Sequence, residues 1–137
     1  MTELSIRNKI DRFEELLMEQ PVQLDVKQMQ LKHYFTPNGL YARELLIPAG
    51  VVLTGKIKKH DYLTIISAGF ITEVTEEGSR HIKGPHTSVS APGTKRIFWA
   101  HTDSLVTTVH KVSCQSVAEA EEELIAVNYD DVFLEVF

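Results

Sequence analysis

Near the start of the chain, Ile6, Ile10, Phe13 and Leu17 follow one another at steps of four, three and four, which places them on one face of a helix. Pro21 ends that helix, because a proline disfavours helical geometry in the residue before it. The period then changes. Val22, Leu24 and Val26 alternate with polar residues, as on a half-buried strand. From Gly39 to Lys111 one pattern recurs, a short run rich in Val, Ile, Thr and aromatics followed by a turn. The turns fall at Pro37-Asn38-Gly39, Pro48-Ala49-Gly50, Ser67-Ala68-Gly69, Glu77-Gly78, Gly84-Pro85, Pro92-Gly93 and Thr102-Asp103. The runs between them read LYARELLI, VVLTGKI, YLTII, FITEVTE, RHIK, HTSVS, KRIFWA and SLVTTVHKV, mostly too short for helices. Strands at intervals of about 8 to 12 residues predict an antiparallel sandwich or barrel.

After the last of these runs, Ser116 and Glu119 have the spacing of a capping box and precede AEAEEELIAV, which predicts a short helix. Val132, Leu134 and Val136 then alternate with Phe133, Glu135 and Phe137, as in a final strand or a partner-binding strand. The expected fold is mostly β: an N-terminal amphipathic helix over 1–21, one barrel over 22–112, and an extension over 113–137 carrying a short helix or strand. A length of 137 residues fits one domain of this kind.

Composition adds a division of charge. The net charge is −5, yet residues 113–137 hold seven acids and no Lys or Arg, while residues 21–112 hold eleven Lys and Arg against seven Asp and Glu. The middle is therefore positive by about four charges, and it contains all six histidines. Overall acidity and the lack of a dense basic stripe argue against nucleic-acid binding. No apolar run approaches the roughly 20 residues of a membrane helix, and the first twenty residues lack the continuous apolar core of a secretion signal, so a cytoplasmic protein without a membrane partner is expected. Cys114, the single cysteine, reads as a small apolar residue near a strand end. No Gly-x-Ser-x-Gly or phosphate-loop motif is present.

The stretch Gly39 to Val112 resembles the cupin superfamily, through its turns more than through ligands. The family's first motif runs Gly, five residues, His-x-His, three or four residues, Glu, six residues, Gly. Here Gly55 is followed by His60 and Tyr62, so the first histidine matches, the second is a tyrosine, and Ile66 or Ser67 stands where the Glu belongs. The second motif contains Pro-x-Gly-x-x-His. Ala91-Pro92-Gly93-Thr94-Lys95-Arg96 keeps the glycine and replaces the His with Arg96. The resemblance implies a jelly-roll barrel that has lost most of its metal ligands. The PAG turn, the PGTKR segment and the TTVHK strand also resemble small cupin-like proteins of tailed bacteriophages, which implies a viral or prophage origin and no settled activity.

A barrel strand aims alternate residues inward, so Lys56, Lys58, His60, Tyr62 and Thr64 are expected on one face, with Arg96 and Phe98 sharing that interior and His110 near it. Lys58, His60, Tyr62, Arg96, Phe98 and His110 are the candidate ligand-binding residues. A guanidinium at a ligand position points to carboxylate or phosphate. A structural ion pair of Arg96 with Asp61, Asp103 or Glu44 reads the same residues equally well. No catalytic residue, metal or cofactor is assigned, although His60, His86 and His110 are the groups from which a metal site would have to be rebuilt. His81 and His101 sit beside turns and read as solvated. Trp99 alternates away from Arg96 and reads as core or subunit interface.

The expected function is a non-enzymatic, cupin-like binding or assembly protein, a homo-oligomer that takes a small anion such as a nucleotide, sugar phosphate or carboxylate. One specific form is a counter-defence protein that sequesters a nucleotide signal, with Arg96 and Lys58 on phosphate and Tyr62 or Phe98 stacked on a base. The competing expectation is an enzyme, either metal-dependent or of a metal-free isomerase type with His60 as base and Tyr62 as acid.

Overall fold

The computed structural model describes residues 8–10, 12 and 29–126. The helix expected over 1–21, the strand expected at Val22–Val26 and the strand expected at Val132–Val136 lie wholly or mostly outside the described residues. Among the described residues, nine strands form two antiparallel sheets. The strands are β1 (Lys32–Phe35), β2 (Leu40–Ile47), β3 (Val52–Thr54), β4 (Tyr62–Ala68), β5 (Phe70–Thr75), β6 (Gly78–Lys83), β7 (His86–Ser90), β8 (Ile97–Ala100) and β9 (Ser104–Lys111). One sheet has the order β1-β2-β9-β4-β7 and the other β3-β8-β5-β6. This is the expected mostly-β jelly roll. β1 lies outside the runs read from the sequence. Residues 55–61, expected as strand, are irregular except for one bridge between Lys58 and Ile125.

Alternation decides which side chains enter the barrel. On β2 these are Tyr41, Arg43, Leu45 and Ile47; on β4 they are Tyr62, Thr64 and Ile66; on β9 they are Ser104, Val106, Thr108 and His110. The sheet register lines these residues up across strands, with Tyr41 opposite His110, Arg43 opposite Thr108 and Leu45 opposite Val106. The interior consequently has two ends. Leu45, Ile47, Leu53, Ile66, Ile71, Ile82, Phe98, Ala100 and Val106, with Met29, fill one end as an apolar core. The other end is polar and holds the candidate site.

Gly69, in the turn between β4 and β5, has φ +106°, and a Cβ there would run into Ser104. Gly69→Ala should therefore destabilise the fold by more than about 2 kcal/mol, through both backbone strain and the clash. Chemical denaturation measures this.

The predicted capping-box helix is present as α1 (Val117–Leu124). The Ser116 side chain accepts from the Glu119 amide at 3.3 Å, and its hydroxyl donates to the Glu119 carboxylate at 2.9 Å. Ala120 and Leu124 pack on Tyr41, Val112 and Cys114, with Phe35 beside them. The end of α1 also holds the irregular 55–61 segment in place. Lys59 N–H donates to Leu124 O at 2.7 Å, Ala126 N–H to Ile57 O at 2.9 Å, and Gly93 N–H to Lys58 O at 3.0 Å.

Candidate functional site

The polar end of the barrel is organised by Arg96, which immediately precedes β8 and is 6 % exposed. One terminal nitrogen donates to Glu73 Oε2 at 2.9 Å and to Ser90 Oγ at 3.2 Å; the other donates to Tyr62 Oη at 2.6 Å and to Thr64 Oγ1 at 3.3 Å. Thr64 and Ser90 share a further hydrogen bond of 2.7 Å. Glu73 lies on β5 in the four-stranded sheet, whereas Tyr62, Thr64 and Ser90 lie on β4 and β7 in the five-stranded one. Arg96 thus ties the two sheets together through charge-assisted bonds that leave its charge neutralised in a buried setting. Its guanidinium lies 4.9 Å from the Phe98 ring centroid and 5.4 Å from that of Tyr62.

Glu73 has a second cation. Arg80 Nε donates to its other carboxylate oxygen at 2.8 Å, from a side chain that is 51 % exposed. This pairing follows from the β5–β6 hairpin, in which Thr75 opposes Gly78 across a loop of Glu76 and Glu77, so that Glu73 must oppose Arg80. The Arg96 ion pair expected with Asp61, Asp103 or Glu44 is therefore corrected to one with Glu73. Asp103 instead accepts from the Ala49 amide at 2.9 Å, and Glu44 from the Tyr34 hydroxyl at 3.0 Å.

Beside this array stands a groove of about 890 Å³ between β6 and β7, the outermost strands of the two sheets. Arg96, Glu73 and Arg80 contribute to its floor, and Thr75, Ser79, Ser88, Ser90 and Thr94 supply hydroxyls around it. Glu76 and Glu77 stand at one rim.

On the barrel side of Arg96, His110 is 2 % exposed, stacks on Tyr62 with ring centroids 4.7 Å apart, and shares a 2.9 Å hydrogen bond with Thr108. Burial, reinforced by the positive charges of Lys58, Arg43 and Arg96, pulls its pKa down to about 3. The imidazole is neutral at physiological pH, chiefly because it is buried. Lys58 is buried, donates to Lys56 O at 2.9 Å and lies 5.9 Å from the Tyr62 ring centroid. Tyr41, buried and within 2.6 Å of His33 Nδ1, has its pKa pushed up to about 12 by burial.

Of the candidate residues, Lys58, Tyr62, Arg96, Phe98 and His110 are brought together. His60 is not: β4 begins only at Tyr62, and His60 is exposed in the bend before it. The expected alternation from Lys56 to Thr64 fails because α1 and Gly93 hold residues 57–59 out of the sheet. The missed members are Glu73, Arg80 and Ser90. The two-residue loop of the β5–β6 hairpin was the signal that could have found the first two.

The residues do not fit a metal ion. Among the described residues no three His, Cys, Asp or Glu side chains cluster as ligands would. His86 opposes Ile66, four positions from the Tyr62–Ser90 pair and so about 13 Å from it along β7. The nearest carboxylate, Glu73, is taken by two guanidinium groups. The proposed acid–base pair is likewise separated, since His60 lies outside the barrel and the Tyr62 hydroxyl accepts from Arg96.

Two further expectations change. His81 and His101 are not simply solvated, because one ring nitrogen of each, His81 Nδ1 and His101 Nε2, meets the Thr72 hydroxyl, at 2.8 and 2.6 Å. Trp99 is not core: it is 47 % exposed on the outer face of the four-stranded sheet, 4.3 Å from the His101 ring centroid. Cys114 is buried beside Glu123, and burial raises its thiol pKa, which disfavours the thiolate. No described helix is long and apolar enough to cross a membrane.

No family model matches the chain, and no curated protein matches it. Solved structures do. Ectoine synthase from P. lautus superposes with a TM-score of 0.57 at 14% identity, over 74% of this chain and 85% of its own. A cupin superfamily protein from Desulfitobacterium hafniense gives 0.54 at 8% identity, over 69% and 93%. KdgF from Halomonas sp. gives 0.53 at 20% identity, over 61% and 80%. Identities this low speak to fold alone, and together with the sheet topology they show that the chain folds as a jelly-roll barrel similar to those of these proteins.

Proposed function

We propose that this protein is a non-enzymatic binding barrel whose groove between β6 and β7 takes a small, hydroxyl-bearing anion. The observation that carries this reading is the convergence of Arg80 and Arg96 on one carboxylate, Glu73, at the floor of a groove lined by five Ser and Thr residues. At this one point two guanidinium groups meet a single carboxylate, a local excess of positive charge, although with Glu76 and Glu77 the whole lining holds three acids against two cations, so the anion's place is at the Arg80 end. The terminal nitrogens of Arg96 are spent on Glu73, Ser90, Tyr62 and Thr64, so the planar fork for a carboxylate or phosphate is that of Arg80, and the surrounding hydroxyls suit a polyol or sugar backbone. Glu76 and Glu77 at the rim would accept hydrogen bonds from ligand hydroxyls and disfavour bulky polyanions. Ectoine synthase shows that a barrel of similar shape can serve an enzyme. Catalysis in this chain lacks support, because the residues expected to carry it are dispersed or already hydrogen-bonded.

Arg80 is the clean probe, since it is half exposed and its loss leaves the Arg96–Glu73 pair intact. Calorimetric titration with sugar acids, sugar phosphates and nucleotides should find one class that binds. Arg80→Ala should weaken it about 3- to 10-fold, a modest factor because water screens this arm. Absence of binding by every class at millimolar concentration, or an Arg80→Ala protein that binds as well as the wild type, would overturn the proposal.

A further inference from the structure

The outer face of the four-stranded sheet carries a side-chain cluster that the groove does not use. β5 lies between β6 and β8, and its Thr72 opposes His81 on one side and Trp99 on the other. Alternation puts these three on the outer face, because the neighbours of Thr72, Ile71 and Glu73, face the barrel interior. His101 follows β8 directly and is fixed by backbone contacts to the start of β5. Its amide donates to Phe70 O at 2.8 Å, and the Phe70 amide donates to Thr102 Oγ1 at 3.0 Å. Two imidazoles thus reach over β5 from opposite sides. His81 Nδ1 and His101 Nε2 both converge on the Thr72 hydroxyl, with the ring centroids 6.3 Å apart. Thr72 is buried at the floor, His101 is half-buried, and His81 is exposed.

We infer that His81 and His101 form a solvent-open site for a divalent transition-metal ion, with copper(II) preferred. A hydroxyl has one proton, so Thr72 donates to one of the two nitrogens and accepts an N–H from the other. One converging nitrogen therefore already presents its lone pair, and the other does so once its proton moves to the far nitrogen of the same ring. An ion bonded to both imidazoles at about 2.0–2.1 Å holds the two nitrogens roughly 3 to 4 Å apart, which a turn of the exposed His81 ring supplies. Thr72 Oγ1 then stands beside the ion as a weak oxygen donor, and water fills the remaining positions. The choice of ion follows from the donors. Calcium and magnesium need several oxygens, whereas imidazole suits copper, nickel and zinc, and among these copper(II) binds a given nitrogen site most tightly. Among the described residues no third His, Cys, Asp or Glu joins the pair, so the site is exchangeable in character and neither structural nor catalytic. The Trp99 and Phe70 rings, with centroids 4.3 and 5.2 Å from that of His101, hold this imidazole in place. Lys83, opposite Phe70 on the same face, is exposed, so water screens its charge from the ion.

Trp99 is the only tryptophan of the chain and lies against His101, so its fluorescence reports on the site. Copper(II) chloride titrated into the full chain at neutral pH should quench it saturably at micromolar metal. His81→Ala and His101→Ala should each weaken this binding about 10-fold or more, with unchanged circular dichroism. His60→Ala, in the bend before β4, should leave it as it is. Because His101→Ala also alters the surroundings of Trp99, electron paramagnetic resonance of the copper complex supplies a second readout, with two nitrogen donors in the wild type and one in each variant. Quenching that never saturates, a spectrum without nitrogen coordination, or saturable quenching that survives both substitutions would overturn the inference.

Discussion

Replacing Glu73 with leucine should cost the protein about 3–5 kcal/mol, and replacing Arg96 with methionine should cost less. Both groups are buried and pair at 2.9 Å, so either change leaves a charge where water cannot solvate it. The consequences are unequal because the partners left behind are unequal. Without Arg96, Glu73 keeps Arg80, whose half-exposed side chain can follow it toward solvent. Without Glu73, Arg96 retains only the neutral hydroxyls of Ser90, Tyr62 and Thr64. The order should be visible as a lower denaturation midpoint for Glu73→Leu than for Arg96→Met, at unchanged m-value. Equal or inverted midpoints would mean that Arg80 does not share the carboxylate in solution.

The second large effect is a loss of stability in acid that runs through His110. Its pKa is about 3 in the folded protein and about 6.5 when unfolded, so between those values the unfolded chain binds the extra proton. The neutral imidazole is therefore no handicap above pH 6.5. Stability drains away as pH falls from 6.5 toward 3, by up to about 1.4 kcal/mol per unit. Carboxylates that are paired when folded, such as Glu123 with its pKa lowered by Ser113, add losses only near and below their ordinary range. The interval from pH 6.5 to 5 therefore reports histidines: His110 chiefly, with a contribution of the same sign from His33, whose pKa burial also lowers. Urea unfolding of the wild type should lose about 1–2 kcal/mol across it, and His110→Asn should flatten the slope. A slope that survives this substitution would assign the loss to other groups.

Much of the barrel is legible in the chain because turn residues punctuate it. The runs LYARELLI and HTSVS coincide with β2 and β7, since Gly39, Pro48, Pro85 and Pro92 bound them closely. Legibility fails where tertiary hydrogen bonds outrank local pattern. Residues 56–60 alternate convincingly, yet backbone bonds from Lys59, Ala126 and Gly93 hold that segment off the sheet, and with it goes His60. The site was half legible. Tyr62 and His110 follow from alternation on real strands and Arg96 from its place just before β8, whereas Glu73 was hidden because motif spacing sought an acid near Ile66 and Ser67. Hairpin register, not motif spacing, places it opposite Arg80.

The account rests on Arg96 and Glu73 acting as one unit that joins the two sheets at the polar end of the barrel. A double-mutant cycle on Arg96→Met and Glu73→Leu, read by urea denaturation at pH 7, tests this most directly. The double variant should be more stable than the sum of the single losses allows, with a coupling of about 2–3 kcal/mol, because removing both charges leaves no buried ion behind. Additive losses, with coupling near zero, would contradict the account.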